Sequence, residues 1–202
     1  MAKKIIALLG SPRMGGNTAK LLEQAIEGAQ DAGCDVEKIP VFHLNFKPCM
    51  EIFHCMENEE CKIKDDMTGM YQKFREMDSL IVAAPVMTMG IPGKLKMFMD
   101  RFQVFYMAKY FRNASFISPE HRKERKMLFI SISGMNIPNV FEGAKITTKA
   151  FGEIIDCPYW DEVLQNDMDT IRDITTKPDV MKAAYEKGYR LGSLLMAEEE
   201  RA

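Results

Sequence analysis

The segment Gly10-Ser11-Pro12-Arg13-Met14-Gly15-Gly16-Asn17-Thr18 has residue types and a spacing suited to binding a phosphate group. It follows an apolar run and precedes a helix-like pattern, so backbone N–H groups and the helix dipole would meet there. Hydroxyl and amide side chains add donors, arginine adds a fixed charge, and glycine lets the backbone approach a ligand closely. The alternative is an ordinary polar turn that caps a helix. The candidate phosphate-binding residues are Ser11, Arg13, Gly15, Gly16, Asn17 and Thr18.

The same loop departs from two well-known nucleotide-binding motifs. A Walker A loop requires a lysine after its last glycine, but Asn17 follows Gly16 here. A dinucleotide fingerprint requires Gly-x-Gly at its start, but Pro12 occupies the second glycine position. The loop therefore favours a ligand with a single phosphate, and disfavours an ATPase.

Two further loops follow strand-like runs and carry no charged side chain. They are rich in small residues, and their backbones are suited to lying against a flat ring from opposite sides. Each loop alone indicates only a turn, but with the phosphate loop at the same edge of a sheet they predict a mononucleotide pocket. The candidate ring-binding residues are Pro85, Val86, Met87, Thr88, Met89, Gly90, Ser133 and Gly134.

Strand-like and helix-like segments alternate along the chain, which is typical of a parallel sheet covered by helices on both faces. Right-handed crossovers with five strands fit the order 2-1-3-4-5, and ligands of such sheets bind beyond the carboxyl ends of the strands. Strands are expected at Lys4–Leu9, near Val36–Val41, at Ser79–Ala84 and Met127–Ser133, and within Ile155–Leu164. Helices are expected from Asn17 or Thr18 to Gly33, from Asp65 or Asp66 through Met77, from Ile91 through Phe105, over Phe141–Ile154 and over Pro178–Met196, with a charged connection at Asn113–Lys126.

Composition places the chain among ordinary globular proteins. It has 202 residues, 27 Lys plus Arg and 29 Asp plus Glu, and a net charge of -2, which gives no reason to expect binding to nucleic acid or to a membrane surface. We expect one domain over residues 1–202 with an irregular cysteine-containing segment at 45–64. The apolar run near the N-terminus is too short for a signal peptide, and the five cysteines are an odd number, so we expect a cytoplasmic protein without a disulfide framework.

Taken together, these motifs resemble the NADPH-dependent FMN reductase and iron–sulfur flavoprotein family of flavodoxin-like proteins. The resemblance implies bound FMN, with its phosphate at the first loop and its isoalloxazine ring beside residues 85–90. It covers roughly the first half of the chain, and the second half matches only in its alternation of strands and helices. The residues that carry it are Gly10-Ser11-Pro12-Arg13, Gly16-Asn17-Thr18, Pro48-Cys49, Cys55, Cys61, Ile63-Lys64-Asp65-Asp66-Met67, Ala84-Pro85-Val86, Gly93, Leu95, Lys96 and Asp100-Arg101.

The resemblance implies an FMN-dependent oxidoreductase. Electrons would pass from NAD(P)H through FMN to a quinone, a free flavin, dioxygen or a redox protein, and no catalytic acid or base is required because the cofactor carries the chemistry. One alternative is an electron carrier that exchanges electrons with a ferredoxin-type partner and does not use NAD(P)H. Another is a cysteine-based redox or metal sensor. The resemblance also implies a homodimer or homotetramer, with an interface near the aromatic segment Phe98–Tyr110 and the flavin.

The cysteine segment departs from the family pattern. Relatives that hold a 4Fe-4S cluster resemble Cys-x2-Cys-x2-Cys followed by a fourth cysteine, whereas this chain has Cys49, Cys55 and Cys61 with Ile52 at the second ligand position. A cubane cluster prefers four thiolates. Three interpretations stay open: the cluster is lost, it persists with His54, Glu51 or water as substitute ligand, or three cysteines and His54 bind zinc.

Overall fold

The computed structural model describes residues 2–199, with side chains up to residue 197. Its centre is a five-stranded, all-parallel sheet in the order β2-β1-β3-β4-β5, as the sequence predicts. The ends of the predicted 1–202 domain lie outside the described residues. The strands are β1 (Lys4–Leu9), β2 (Asp35–Pro40), β3 (Ser79–Pro85), β4 (Met127–Ile132) and β5 (Tyr159–Gln165).

Helices connect the strands and cover both faces of the sheet. Within residues 2–199, no helix is long and apolar enough to cross a membrane. The α-helices are α1 (Asn17–Asp31), α2 (Met67–Glu76), α3 (Gly93–Asp100), α4 (Gln103–Tyr106), α5 (Pro119–Glu124), α6 (Glu142–Ile154), α7 (Met168–Ile171) and α8 (Pro178–Glu199). Three short 3-10 helices span Val41–His43, His54–Met56 and Ile174–Thr176, and a π-helical turn spans Met107–Phe111.

The two faces of the sheet bury two separate apolar cores. Successive side chains of a strand point to opposite faces, so Ile6 and Leu8 of β1 join the core under α2, α3 and α6. Ile5, Ala7 and Leu9 join the core under α1 and α8. This burial on both sides explains why the central strands read as continuous apolar runs in the sequence.

The structure differs from the sequence-based expectation at four places. The helix expected from Ile91 through Phe105 is broken after Asp100, where the N–H of Phe102 donates to the carbonyl of Met99 in a tighter turn. The charged connection contains α5, which begins at Pro119 and is capped by the Ser118 hydroxyl. The fifth strand lies within the expected stretch but extends one residue beyond it, to Gln165, and residues 155–158 form the turn after α6. The short helix α7 has no counterpart in the prediction.

Candidate functional site

The three predicted loops meet at the carboxyl edge of the sheet. They follow β1, β3 and β4, which are neighbours in the sheet. Backbone hydrogen bonds continue into the loops: the N–H of Gly10 donates to Ala83 at 2.8 Å, and that of Val86 donates to Ile132 at 2.7 Å. The loops are therefore fixed to the strand ends along one edge of the sheet.

The first helix begins with an open N-terminus. Its N-cap residue is Gly16, no side chain caps it, and its first turn contains no acidic residue. The first helical bond runs from the N–H of Lys20 to the carbonyl of Gly16 at 3.0 Å, so the preceding N–H groups have no partner inside the helix. This arrangement attracts an anion, because unpaired donors and the positive end of the helix dipole coincide.

Arg13 lies beside this helix start. Its carbonyl accepts the N–H of Gly16 at 3.1 Å, and its Nε lies 3.8 Å from the position that a Cβ on Gly16 would occupy. Among the residues whose side chains are described, the guanidinium of Arg13 has neither a carboxylate nor a hydrogen-bond partner. An arginine held in this way is available to an incoming phosphate.

Two buried hydroxyl residues complete this end of the site. Ser11 is 4% exposed and Thr18 is 2% exposed. The Oγ of Ser11 accepts the N–H of Arg13 at 3.2 Å, which leaves its own proton free for another acceptor. Gly15 has no atom within 4 Å of its hypothetical Cβ and borders open space. The arrangement of these predicted phosphate ligands therefore fits a single anionic group.

The side chain of Asn17 hydrogen-bonds to the protein backbone, whereas the sequence predicts that it binds a phosphate. Its Nδ2 donates to the carbonyl of Arg172 at 2.7 Å, and its Oδ1 accepts the N–H of Ile174 at 3.2 Å. The side chain therefore ties α1 to the connection between β5 and α8. Its predicted role as a phosphate donor stays a prediction, with its backbone N–H the better-placed group.

The connection at residues 166–174 is a fourth part of the site that the sequence analysis missed. The N–H groups of Met168 and Asp169 donate to the carbonyls of Ser133 and Gly134 at 3.0 and 3.1 Å. The carboxylate of Asp169 lies where a Cβ on Gly134 would be, at 2.5 and 2.6 Å from that position. In the sequence this stretch is polar and short, and nothing in its pattern distinguishes it from a solvated loop.

Arg172 sits at the centre of a strained turn in this connection. Its φ and ψ are 63° and -46°, and the N–H of Asp173 donates to the carbonyl of Ile171 at 2.8 Å, which defines a γ-turn of the rare positive-φ type. A hydrogen bond from Lys20 at 2.8 Å and hydrogen bonds from Thr175 lower the pKa of Asp173 to about 2. The Lys20–Asp173 pair and Asn17 hold this turn against the start of α1.

The loop after β3 forms a tight turn at this edge of the sheet. The N–H of Met87 donates to Gly90 at 2.8 Å and that of Gly90 donates back to Met87 at 3.0 Å. Thr88 and Met89 between them both have positive φ, 51° and 60°, which is the pattern of a type I′ turn. Positive φ is unusual for a β-branched residue such as threonine, so the turn carries backbone strain at the position predicted to lie beside a ring.

Cys49, Cys55 and Cys61 line one open cavity together with Ile52 and His54. Burial raises the pKa of the Cys55 thiol, and the neighbouring Cys61 and Cys49 thiols raise it further. The fold therefore brings together the three cysteines that the sequence singles out.

Arg101 anchors this cysteine segment. It is 1% exposed, and its two Nη atoms bind the Asp65 carboxylate at 2.7 and 3.2 Å. The same guanidinium donates to the carbonyls of Lys47 and Ile63 at 2.7 and 3.3 Å and to the Cys61 sulfur at 3.5 Å.

The cavity does not have the geometry of a closed metal centre. In residues 2–197, no group of three His, Cys, Asp or Glu side chains is placed to hold a metal ion. Ile52 is 55% exposed at the cavity, and the Nδ1 of His54 lies 3.3 Å from the Nδ2 of Asn58. The arrangement lacks the four converging thiolates of a cubane cluster, so metal binding by these cysteines stays a prediction.

Comparison with known proteins places these features in context. An iron–sulfur flavoprotein of Methanocaldococcus jannaschii is 34% identical over 110 residues, 54% of this chain and 57% of that protein. An iron–sulfur flavoprotein of Methanosarcina thermophila is 37% identical over 98 residues, 48% of this chain and 51% of that protein. The chain therefore spans about half the length of the curated relatives it matches.

The same fold is found among solved structures. An NAD(P)H:quinone oxidoreductase from Methanothermobacter marburgensis superposes with a TM-score of 0.69 at 17% identity, over 95% of this chain and 96% of that chain. At this identity the likeness establishes the flavodoxin-like fold. The profile of the family described as NADPH-dependent FMN reductase matches residues 3–136, which include β1 to β4 and the three predicted loops. The chain belongs to the NADPH-dependent FMN reductase family.

Proposed function

We propose that the chain binds FMN at the carboxyl edge of its sheet and passes electrons from NAD(P)H to an acceptor, which is a quinone, a free flavin, dioxygen or a redox protein. The observation that carries this proposal is the uncapped start of α1, flanked by Arg13 and two buried hydroxyl residues, at the same edge of the sheet as the turn at residues 87–90. Family membership supports flavin as the ligand.

The residues of this chain would bind and orient the cofactor. The phosphate would take the open N–H groups of α1, the Arg13 guanidinium and the hydroxyls of Ser11 and Thr18. The ring would lie against residues 85–90 on one side and Ser133-Gly134 on the other. Bound FMN supplies the hydride and electron transfer chemistry, and the protein orients the ring and limits water access.

The loops around the proposed ring site carry exposed methionines. Four methionines on the surrounding loops are exposed by 40 to 51%. Flexible thioether side chains pack favourably against aromatic rings of different shapes. These side chains therefore suit a nicotinamide or a flat acceptor that stacks over the flavin. The four residues are Met14, Met87, Met89 and Met135.

A second candidate is an electron carrier that exchanges electrons with a ferredoxin-type partner. It is favoured by the identity of 34% and 37% with two iron–sulfur flavoproteins over about half of their length. The two candidates differ in one measurable step, because only the oxidoreductase is reduced rapidly by NAD(P)H.

We also propose that the chain assembles as a homodimer or homotetramer through the surface around the cysteine cavity. Exposed apolar residues concentrate there, which is uncommon on a monomer surface. A monomeric mass at micromolar concentration with full FMN occupancy would contradict this assembly. The exposed residues are Met50, Ile52, Phe53, Met56, Tyr110 and Phe111.

The phosphate site is tested by comparing FMN with riboflavin, which lacks the phosphate. Replacing Arg13 and Thr18 together by alanine removes charge-assisted donors worth about 1.5–3 kcal/mol each, so FMN affinity is expected to fall at least about 100-fold. Riboflavin affinity should remain unchanged. Lys182→Ala, which removes an exposed charge on α8, serves as the control. Unchanged FMN affinity in the double variant would show that the phosphate binds elsewhere.

A further inference from the structure

The first turn of α6 lies in direct contact with the strained turn at residues 87–90. A Cβ on Gly143 would lie 2.2 Å from the carbonyl oxygen of Met89 and 3.7 Å from the Cα of Gly90. Real Cβ atoms do not approach a backbone oxygen this closely. Position 143 therefore accepts only glycine while the helix and the turn keep their present separation.

The turn depends on its surroundings for its shape. Thr88 and Met89 both adopt positive φ, and such residues persist only where neighbouring structure holds them. Two hydrogen bonds between Met87 and Gly90 close the neck of the turn. The contact with Gly143 supports the other end, at the carbonyl of Met89.

The helix side of this contact is well fixed. The N–H of Glu142 donates to the carbonyl of Asn139 at 3.0 Å, and the next residue after Gly143, Ala144, is fully buried. Thr148, one turn further along, is also buried, and its hydroxyl donates to the carbonyl of Ala144 at 2.8 Å. A side chain at position 143 would therefore displace the exposed turn rather than the helix.

We infer that Gly143 is a positioning residue for the ring site: it sets how closely the Thr88–Met89 turn approaches the sheet edge where the isoalloxazine ring is proposed to bind. This inference rests on the proposed function, and it assigns a role to a residue outside the three loops. Because the turn borders the ring rather than the phosphate, its displacement affects every flavin equally, with or without a phosphate.

The test compares Gly143→Ala with Gly69→Ala. Both glycines lie in the first turn of a helix, but a Cβ on Gly69 has no atom within 4 Å. The affinities for FMN and riboflavin, the visible spectrum of the bound flavin, and the thermal midpoint of the flavin-free protein are measured for each variant.

For Gly143→Ala we expect both affinities to fall by the same factor, about tenfold, with a shifted flavin absorption band, since overpacking of this kind commonly displaces backbone. Gly69→Ala should match the wild type in every flavin measurement. Adding Thr88→Gly to Gly143→Ala should restore part of both affinities, because glycine gives the turn the freedom to accommodate the methyl group.

Three results would overturn the inference: unchanged flavin affinity and spectrum in folded Gly143→Ala, a loss confined to FMN, or no rescue by Thr88→Gly. If Gly143→Ala does not fold, Gly143→Ala/Thr88→Gly is compared with Thr88→Gly alone. The double variant should bind FMN and riboflavin more weakly than Thr88→Gly by the same factor, and equal affinities would overturn the inference. Failure of the wild type to bind either flavin would instead contradict the proposed function.

Discussion

The side-chain amide of Asn17 donates a 2.7 Å hydrogen bond to the carbonyl of Arg172, which lies 155 residues further along the chain. The same side chain accepts the N–H of Ile174 through its oxygen. One amide therefore joins the start of α1, where we propose that the phosphate binds, to the connection that packs on Ser133 and Gly134. The proposed phosphate site and the proposed ring site are therefore joined through this residue.

Replacing Asn17 by Asp tests this link. The change keeps the acceptor for Ile174 but removes the donor to Arg172 and places a negative charge beside the proposed phosphate. We expect FMN affinity to fall by at least about tenfold, while thermal stability changes little because an acidic residue suits a helix N-terminus. Titration of the flavin-free protein with FMN measures this. Gln30→Glu adds the same charge at the far end of α1 and should leave FMN affinity unchanged; an equal loss in both variants would refute the account.

Replacing Arg101 by Met tests the anchor of the cysteine segment. Removing one partner of a buried ion pair leaves the Asp65 carboxylate uncompensated, and we expect a loss of about 3–5 kcal/mol in the free energy of unfolding. Urea denaturation measures it. The double variant Arg101→Met/Asp65→Asn should lose less than the sum of the single variants, because both remove the same interaction. If the losses in the two single variants simply add up in the double variant, the interaction between Arg101 and Asp65 contributes nothing to the free energy of unfolding.

The lowered pKa of Asp78 leads to a prediction of how the free energy of unfolding depends on pH. Burial alone would raise the pKa of Asp78, but hydrogen bonds from His121 and from the N–H of Lys4, with the charge of Lys3, outweigh burial and lower it. A carboxyl with a lowered folded pKa stabilises the fold above its unfolded pKa of about 3.9, and this stabilisation is lost as the pH falls through the folded pKa. The free energy of unfolding is therefore expected to decrease below about pH 4.

The variant Asp78→Asn isolates this contribution. It should be less stable than the wild type at pH 7, and the difference between the two proteins should shrink as the pH is lowered below about 4. Urea titrations at several pH values measure both. A constant difference across that range would show that Asp78 does not act through its ionisation.

The residues of the cysteine cavity lead to a prediction of the iron content of the purified protein. The aliphatic side chain of Ile52 cannot bind iron, and three thiolates would leave one iron of a cubane cluster open and labile. Protein prepared in air should therefore contain FMN but little iron. Ile52→Cys should raise the iron content on anaerobic reconstitution, whereas Ile137→Cys, at an exposed position elsewhere, should not. About four irons per unmodified chain would require a substitute ligand such as His54.

The strands could be predicted from the sequence because burial on both faces selects continuous apolar runs. Lys4–Leu9 matches the observed β1 in full, and the other strands match apart from their ends. Five strands joined by right-handed crossovers fit the order 2-1-3-4-5, which the structure has. The phosphate and ring loops could be placed at one edge for the same reason, since parallel strands share their carboxyl ends.

The features that could not be predicted depend on contacts between distant residues. The Asn17–Arg172 link joins two segments that carry no common pattern, and the γ-turn at Arg172 has no glycine to mark it. The sequence shows Gly143 as an unfavourable residue inside a helix, but only the fold reveals its contact with Met89. The break after Asp100 was missed because the apolar spacing of this segment continues through it.

The most direct test of the account is the anaerobic mixing of FMN-loaded protein with NADPH and, separately, with NADH, while the flavin absorption band is followed. The account predicts that at least one of the two nucleotides bleaches the band rapidly, and that adding a quinone or free flavin restores it. A band that stays oxidised with both nucleotides, but is bleached by a reduced ferredoxin, would contradict the oxidoreductase and favour the electron carrier.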